Sequence, residues 1–186
     1  MSLEDLIDNS RTDKNTTHSY LALYQDLLND KKETARNVLE IGIYKGGSIK
    51  LWSDFFTNAT VYALDIIDDN CIWDKLKNDR IKIFSSTDAY DESIFNSIFL
   101  DGIRFDFMLD DGPHTLESMK QFIKLYSKLM TDDGILIIED VQSIDWIPML
   151  VEVVPEHLKK YIMVYDLREN KGRYDDIVFS INKSKM

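Results

Sequence analysis

Cysteine is nearly absent: Cys71 is the only one in 186 residues. An intrachain disulfide and a cysteine-built zinc site are therefore excluded, and the expected setting is reducing and cytoplasmic. Long apolar runs are missing too. No stretch approaches the roughly 20 apolar residues of a membrane-spanning helix, so no membrane partner is expected. The N-terminus, MSLEDLIDNS, carries acids where a secretory signal carries basic and apolar regions. Basic charge is in deficit, with 22 Lys and Arg against 33 Asp and Glu and a net charge of −11. Nucleic acid is not an expected partner, because a phosphate backbone needs a basic footprint. With three prolines and seven glycines, no stretch is rich enough in either to divide the chain, and there is no internal repeat.

What is present is a globular chain, 44% hydrophobic and 11% aromatic, long enough for one domain spanning residues 1–186. Residues 1–30 read as an N-terminal arm followed by an amphipathic helix from Thr17 to Asn29. Apolar strands are expected at 38–41, 60–65, 80–84, 105–110 and 135–138. Helical patterns follow at 49–56, 90–99, 115–130 and 144–154, the last despite Pro148. Two closing strands, 161–165 and 177–181, are joined by DLRENKGRYDD, which shows no helix pattern. Strands alternating with helices predict an α/β fold. The expectation is a single Rossmann-like domain with a mostly parallel seven-stranded sheet, helices on both faces and an antiparallel hairpin at one edge.

The stretch Val38–Ser48, VLEIGIYKGGS, runs from strand through a glycine turn (Gly42, Gly46, Gly47) into a helix. Glycine lets the backbone approach a ligand closely, and a helix N-terminus offers free N–H groups. The spacing departs from the G-x-G-x-x-G dinucleotide fingerprint. Glu40, two residues before Gly42, would repel a pyrophosphate but suits a cationic ligand. S-adenosylmethionine (SAM) carries a sulfonium and an ammonium and no phosphate. Asp65, at the end of the second strand and 23 residues after Gly42, is placed to accept from ribose hydroxyls. Asp88 suits either an adenine amino group or a helix cap near Tyr90.

Ligands of open α/β sheets bind outside the carboxyl ends of the strands, and here those ends form an acidic rim. Asp110, Asp111 and His114 fall at the end of one strand, and Glu139 and Asp140 at the end of its expected neighbour. Converging carboxylates repel one another unless a cation binds them. All-oxygen ligands suit a hard ion: magnesium, with manganese or calcium as alternatives. A histidine beside them can act as a general base near neutral pH.

The segments TDK with His18 and Tyr20, LEIGIYKGGSIKLW, VYALDI, LDDGPH and GILIIED resemble the class I SAM-dependent methyltransferases. Within that class, the chain resembles the metal-dependent sugar O-methyltransferases of the macrocin type and their cephalosporin-biosynthesis relatives. The resemblance implies a cofactor set of Glu40, Gly42, Gly46, Gly47, Ser48, Asp65, Asp88 and Asp110, with Lys14 and Tyr20 from a segment that closes over it. It also implies metal ligands Asp111, Glu139 and Asp140, catalytic roles for His114 and Asp111, and a sugar, sugar nucleotide or glycoside as acceptor. Pro113 departs from the small polar residue usual at that position, and the extra N-terminal domain of the larger antibiotic enzymes has no counterpart here. A homo-oligomer is compatible with aromatics such as Trp146 and Tyr161, although core packing is the expected use of both. A catechol-type phenol is the main competing acceptor. An NAD-binding oxidoreductase is disfavoured by the glycine spacing and Glu40, and a catalytically inactive binding module by the intact DDGPH and ED motifs.

Overall fold

A computed structural model of the chain describes residues 1–185. Seven strands form one sheet: β1 (Asn37–Ile41), β2 (Thr60–Leu64), β3 (Ile81–Phe84), β4 (Phe105–Asp110), β5 (Met130–Ile138), β6 (Ile162–Asp166) and β7 (Ile177–Asn182). Their spatial order is β3-β2-β1-β4-β5-β7-β6. The first five are parallel, and β7 runs antiparallel to both β5 and β6. Every residue of β7 is buried, whereas β6 has three exposed residues. The apolar strand therefore takes the interior position and the more polar one the edge, as sheet edges require.

Side-chain alternation along the strands builds two cores. Val38, Val61, Phe107, Leu109 and Ile135 face one way, onto helices α1 (Leu3–Leu6), α2 (Tyr20–Leu28) and α3 (Gly47–Phe55). Leu39, Leu64, Met108, Leu136 and Phe179 face the other way, onto α4 (Glu92–Ile98), α5 (Leu116–Tyr126) and α6 (Ile147–Val153). The period of two in the strands thus covers the sheet on both faces. Strand order reverses between β1 and β4, and this switch point opens a crevice at their carboxyl ends.

Several boundaries differ from the sequence reading for local reasons. Helix α2 starts at Tyr20, not Thr17, because the amides of Thr17 and His18 turn back onto the Asp13 carbonyl, both at 3.0 Å. Helix α5 ends at Tyr126 rather than 130, and β5 starts at Met130 rather than 135, with its register against β4 shifted between Phe105 and Phe107. The connection between β6 and β7 holds a one-turn helix, α7 (Arg168–Lys171), ended by Gly172 at φ +70°. Helix α4 is capped by Asp91, whose Oδ1 accepts from the amides of Ser93 (2.8 Å) and Ile94 (2.9 Å). Asp88 instead accepts from the Tyr90 amide at 2.9 Å. Among the described residues, no helix is long and apolar enough to cross a membrane.

Candidate active site

A cavity of about 960 Å³ opens at the switch point. Its walls come from the ends of four strands: Ile41, Gly42 and Tyr44 after β1, Asp65, Ile66 and Ile67 after β2, Thr87 through Tyr90 after β3, and Asp111 through His114 after β4. Glu117, Ser118 and Gln121 of α5, Asp140 after β5 and Asp13 complete it. Gly42 makes the floor possible. Its φ is +98°, and a Cβ there would lie 2.0 Å from the Asp111 carbonyl oxygen, so β1 and β4 end in backbone contact. Asp65 ties the turn down: its Oδ2 accepts from the amides of Ile43 (2.6 Å) and Tyr44 (3.2 Å), and its Oδ1 from Ile67 (3.1 Å). These bonds use three of a carboxylate's roughly four acceptor positions.

The rest of the glycine turn packs inward. A Cβ on Gly46 would meet Leu76, and one on Gly47 would lie 2.6 Å from the Arg11 carbonyl. The N-terminal segment thus covers the start of α3, with the Arg11 guanidinium donating to the Lys45 carbonyl (3.1 Å) and stacking on Trp73. Glu40 is fully buried, accepting from Ser48 Oγ (2.8 Å) and Trp52 Nε1 (2.5 Å), with Lys14 Nζ 3.5 Å away. Burial pushes its carboxyl up to about 7, against the pull of Lys14. Gly46, Gly47, Ser48 and Glu40 therefore support the turn without lining the cavity.

Behind the cleft lies a layered charge network. The Lys14 ammonium, fully buried, pairs with Glu139 and lies 2.7 Å from Asp111 Oδ2. Burial alone would lower its pKa, but Asp111, Glu139 and Glu40 raise it well above the ordinary lysine value, so it stays charged. The Tyr24 hydroxyl donates to the other Glu139 oxygen, Oε2. Tyr20 donates to Asp140 Oδ1. Burial and the adjacent carboxylates hold both phenols well above their usual range, so both remain donors. His18, stacked on Tyr20, has its Nδ1 2.6 Å from Asp176 Oδ1 and 3.2 Å from Asp140 Oδ1. Asp110 is buried under the cleft, accepts from the Tyr90 hydroxyl at 2.5 Å, and is pushed up by burial to about 7.

On the cleft side, His114 Nε2 lies 3.7 Å from Asp111 Oδ1 and 3.5 Å from Asp140 Oδ2. Asp111, His114 and Asp140 each offer a ligand atom within 4.8 Å of the others, a donor set that fits a divalent cation. Glu139 and the expected cofactor residues Lys14 and Tyr20 lie behind this group and do not line the cavity. Asp65, Asp88, Gly42, Asp111, His114 and Asp140 do line it.

Two features of the site were not read from the sequence. The hydroxyls of Tyr24 and Tyr90 donate to Glu139 and Asp110, although in sequence both tyrosines pass as core positions. The second feature is backbone strain. Four non-glycine residues have positive φ: Tyr44 (47°), Ser86 (50°), His114 (52°) and Asp140 (54°). Three of them line the cavity, and such strain gathers where surrounding contacts overdetermine a functional geometry.

A family profile described as FtsJ-like methyltransferase matches residues 21–175. The mycinamicin VI 2''-O-methyltransferase of Micromonospora griseorubida is 29% identical over 136 residues, covering 69% of this chain and 33% of its own length. The demethylmacrocin O-methyltransferase of Streptomyces fradiae is 26% identical, with 69% and 33% covered. The chain thus spans about a third of the length of these relatives. The solved structure of the MycE methyltransferase in complex with Mg and SAH superposes with a TM-score of 0.74 at 21% identity, over 100% of this chain and 56% of that one.

Proposed function

The chain belongs to the FtsJ-like methyltransferase family, and on that basis we propose that it transfers a methyl group from SAM to a hydroxyl of a sugar or glycoside, assisted by a divalent cation, with His114 as general base. The observation that carries this reading is the convergence of Asp111 Oδ1, Asp140 Oδ2 and His114 Nε2 at one wall of a cleft. Gly42 of the glycine turn and Asp65 line the same cleft.

Each residue has a task in this chemistry. Gly42, lacking a side chain, leaves room at the cleft floor for the cofactor to approach the backbone. Asp65 has about one acceptor position left for a ribose hydroxyl. Ile66, which is 76% exposed, supplies an apolar surface for an adenine ring, and Asp88 an acceptor at the same end. SAM brings its own leaving group, so the protein mainly aligns the acceptor oxygen with the methyl group. A sugar hydroxyl is a weak nucleophile at neutral pH; Asp111 and Asp140 would hold a divalent ion, which when bound would supply the Lewis acidity that lowers the hydroxyl pKa. His114 Nε2, at the same wall, takes the proton. Relatives named as O-methyltransferases of an L-rhamnosyl tetracenomycin and an L-olivosyl oleandolide support the acceptor class, with magnesium and SAH present in the MycE complex.

The test is His114→Ala. S-adenosylhomocysteine (SAH) and magnesium should bind as in the wild type by calorimetry, while turnover falls by about 10²–10⁴-fold. Lost magnesium binding would recast His114 as a ligand, and retained turnover would refute the base.

A further inference from the structure

The connection between β6 and β7 reaches the rim of the cleft beside Asp140 and carries an exposed aromatic ring there. Tyr174 is 62% exposed, although the next two residues, Asp175 and Asp176, are buried. We propose that Tyr174 is the platform for the acceptor: the open face of its ring stacks on the sugar ring whose hydroxyl is methylated. This inference rests on the sugar-methylating reading above and adds to it a residue that holds the acceptor.

Gln142 ties this ring to the wall of the cleft. The Tyr174 hydroxyl donates to Gln142 Oε1 at 2.8 Å, and Gln142 Nε2 donates to the Asp140 carbonyl at 2.9 Å. The Asp140 carboxylate, on the same residue, faces His114. The Val141 amide bonds the Ile177 carbonyl at 3.1 Å, so the end of β5 and the start of β7 are locked together here. Neither Gln142 nor Tyr174 lines the cavity; the ring stands just outside it. With the cofactor on the floor at Gly42 and Asp65, an acceptor whose hydroxyl reaches His114 leaves the rest of its sugar ring at the rim.

Exposure here is not looseness. The Arg173 guanidinium lies over the Tyr174 ring, 5.9 Å from its centroid, and pairs with Asp175 Oδ2 at 2.9 Å. The Asp175 carbonyl accepts from the Tyr20 hydroxyl at 3.3 Å, and Asp176 Oδ2 from Ser19 at 3.0 Å. The ring is thus fixed at its hydroxyl, at one face and through the backbone that follows it, and the opposite face is left to solvent. A rigid ring with two side-chain torsions offers a large contact area at little entropic cost on binding. A sugar ring presents an apolar C–H face between its hydroxyls, which matches a flat aromatic face. Asp140, Asp175 and Asp176 outnumber the one guanidinium of Arg173. This negative rim suits a neutral sugar better than a phosphorylated one.

Initial rates of labelled methyl transfer from SAM to a panel of neutral methyl pyranosides, with magnesium present, test the platform in Tyr174→Ala and Tyr174→Phe. Tyr174→Ala should raise KM for the glycoside by about tenfold and keep kcat within about twofold, which marks lost binding and not lost chemistry. Tyr174→Phe keeps the ring, and its KM should stay within about threefold of wild type. Both variants should bind SAH and magnesium as the wild type does by calorimetry and melt at the same temperature. An unaltered KM in Tyr174→Ala beside an active wild type would overturn the platform and leave the sugar reading standing. A fall in kcat with weaker magnesium binding would make Tyr174 a support for Asp140 and overturn the platform as well. Equal losses in the two variants would assign the effect to the hydroxyl bond, against the ring. A wild-type protein that methylates no member of the panel would refute the sugar reading itself, and the platform with it.

Discussion

Gly42→Ala tests how tightly the cleft floor is built. Two costs add at this position. An L-residue at φ +98° is strained by about 1–2 kcal/mol. The new Cβ would also lie 2.0 Å from the carbonyl oxygen of Asp111 and 2.8 Å from its carbonyl carbon. Both atoms are backbone, so no side chain can swing away, and such overpacking costs about 1–3 kcal/mol more. A total of about 2–5 kcal/mol lowers the melting temperature of a chain this size by about 4–20 °C. Gly172→Ala is the control, because φ is +70° there and nothing lies within 4 Å of the added Cβ. It bears the strain alone, about 1–2 kcal/mol. The assay is a pair of thermal melts with SAH titrations. Gly42→Ala should melt well below Gly172→Ala and bind SAH at least about tenfold more weakly, since the shift moves Asp111 and the turn together. Equal melting temperatures and unaltered SAH binding in the two variants would refute the backbone contact as the determinant of the cleft.

Other consequences follow from the buried polar network. Trp52→Phe keeps the ring in the core but removes the Nε1 donor to Glu40. The orphaned carboxylate oxygen should cost about 1–3 kcal/mol in chemical denaturation, and a loss of less than about 0.5 kcal/mol would mean that Ser48 and Lys14 suffice for Glu40. Lys31 Nζ lies 2.8 Å from Asp133 Oδ2, and this pairing lowers the Asp133 pKa below its ordinary value. A depressed acid stabilises the fold above its unfolded pKa and loses that contribution as pH falls through the folded one. Lys31→Met should therefore flatten the acid limb of stability below about pH 4. The change should stay under about 1 kcal/mol, because the Asp133 side chain is 67% exposed. An unchanged acid limb would leave the pair without energetic weight.

Much of this architecture was legible in the residues. Strand positions followed from short apolar runs ending in acids, and the antiparallel pairing of β6 with β7 from the absence of a crossover helix between them. Asp65, Asp111, His114 and Asp140 were placed at the cleft by strand-end logic alone, and they line it. What stayed hidden depended on which way a side chain turns. Glu40 and Glu139 sit at strand ends like the others, but they point to the face shared with α2 and α3, where Trp52, Tyr24 and Lys14 meet them. Neither the spacing of Lys14 nor its composition context announces a buried ammonium, because the segment that carries it has no periodic pattern. The positive φ values of His114 and Asp140 are likewise products of tertiary packing, although both residue types tolerate that region better than most.

Metal-assisted methyl transfer from SAM to a sugar hydroxyl is the activity proposed for the cleft. Its most direct test is transfer of a labelled methyl group from SAM to a panel of neutral glycosides and, in parallel, catechols, with magnesium and with EDTA. Transfer to a glycoside should stop in chelator and return when magnesium is added back. Transfer that continues undiminished in chelator, or that reaches catechols and no glycoside, would contradict it.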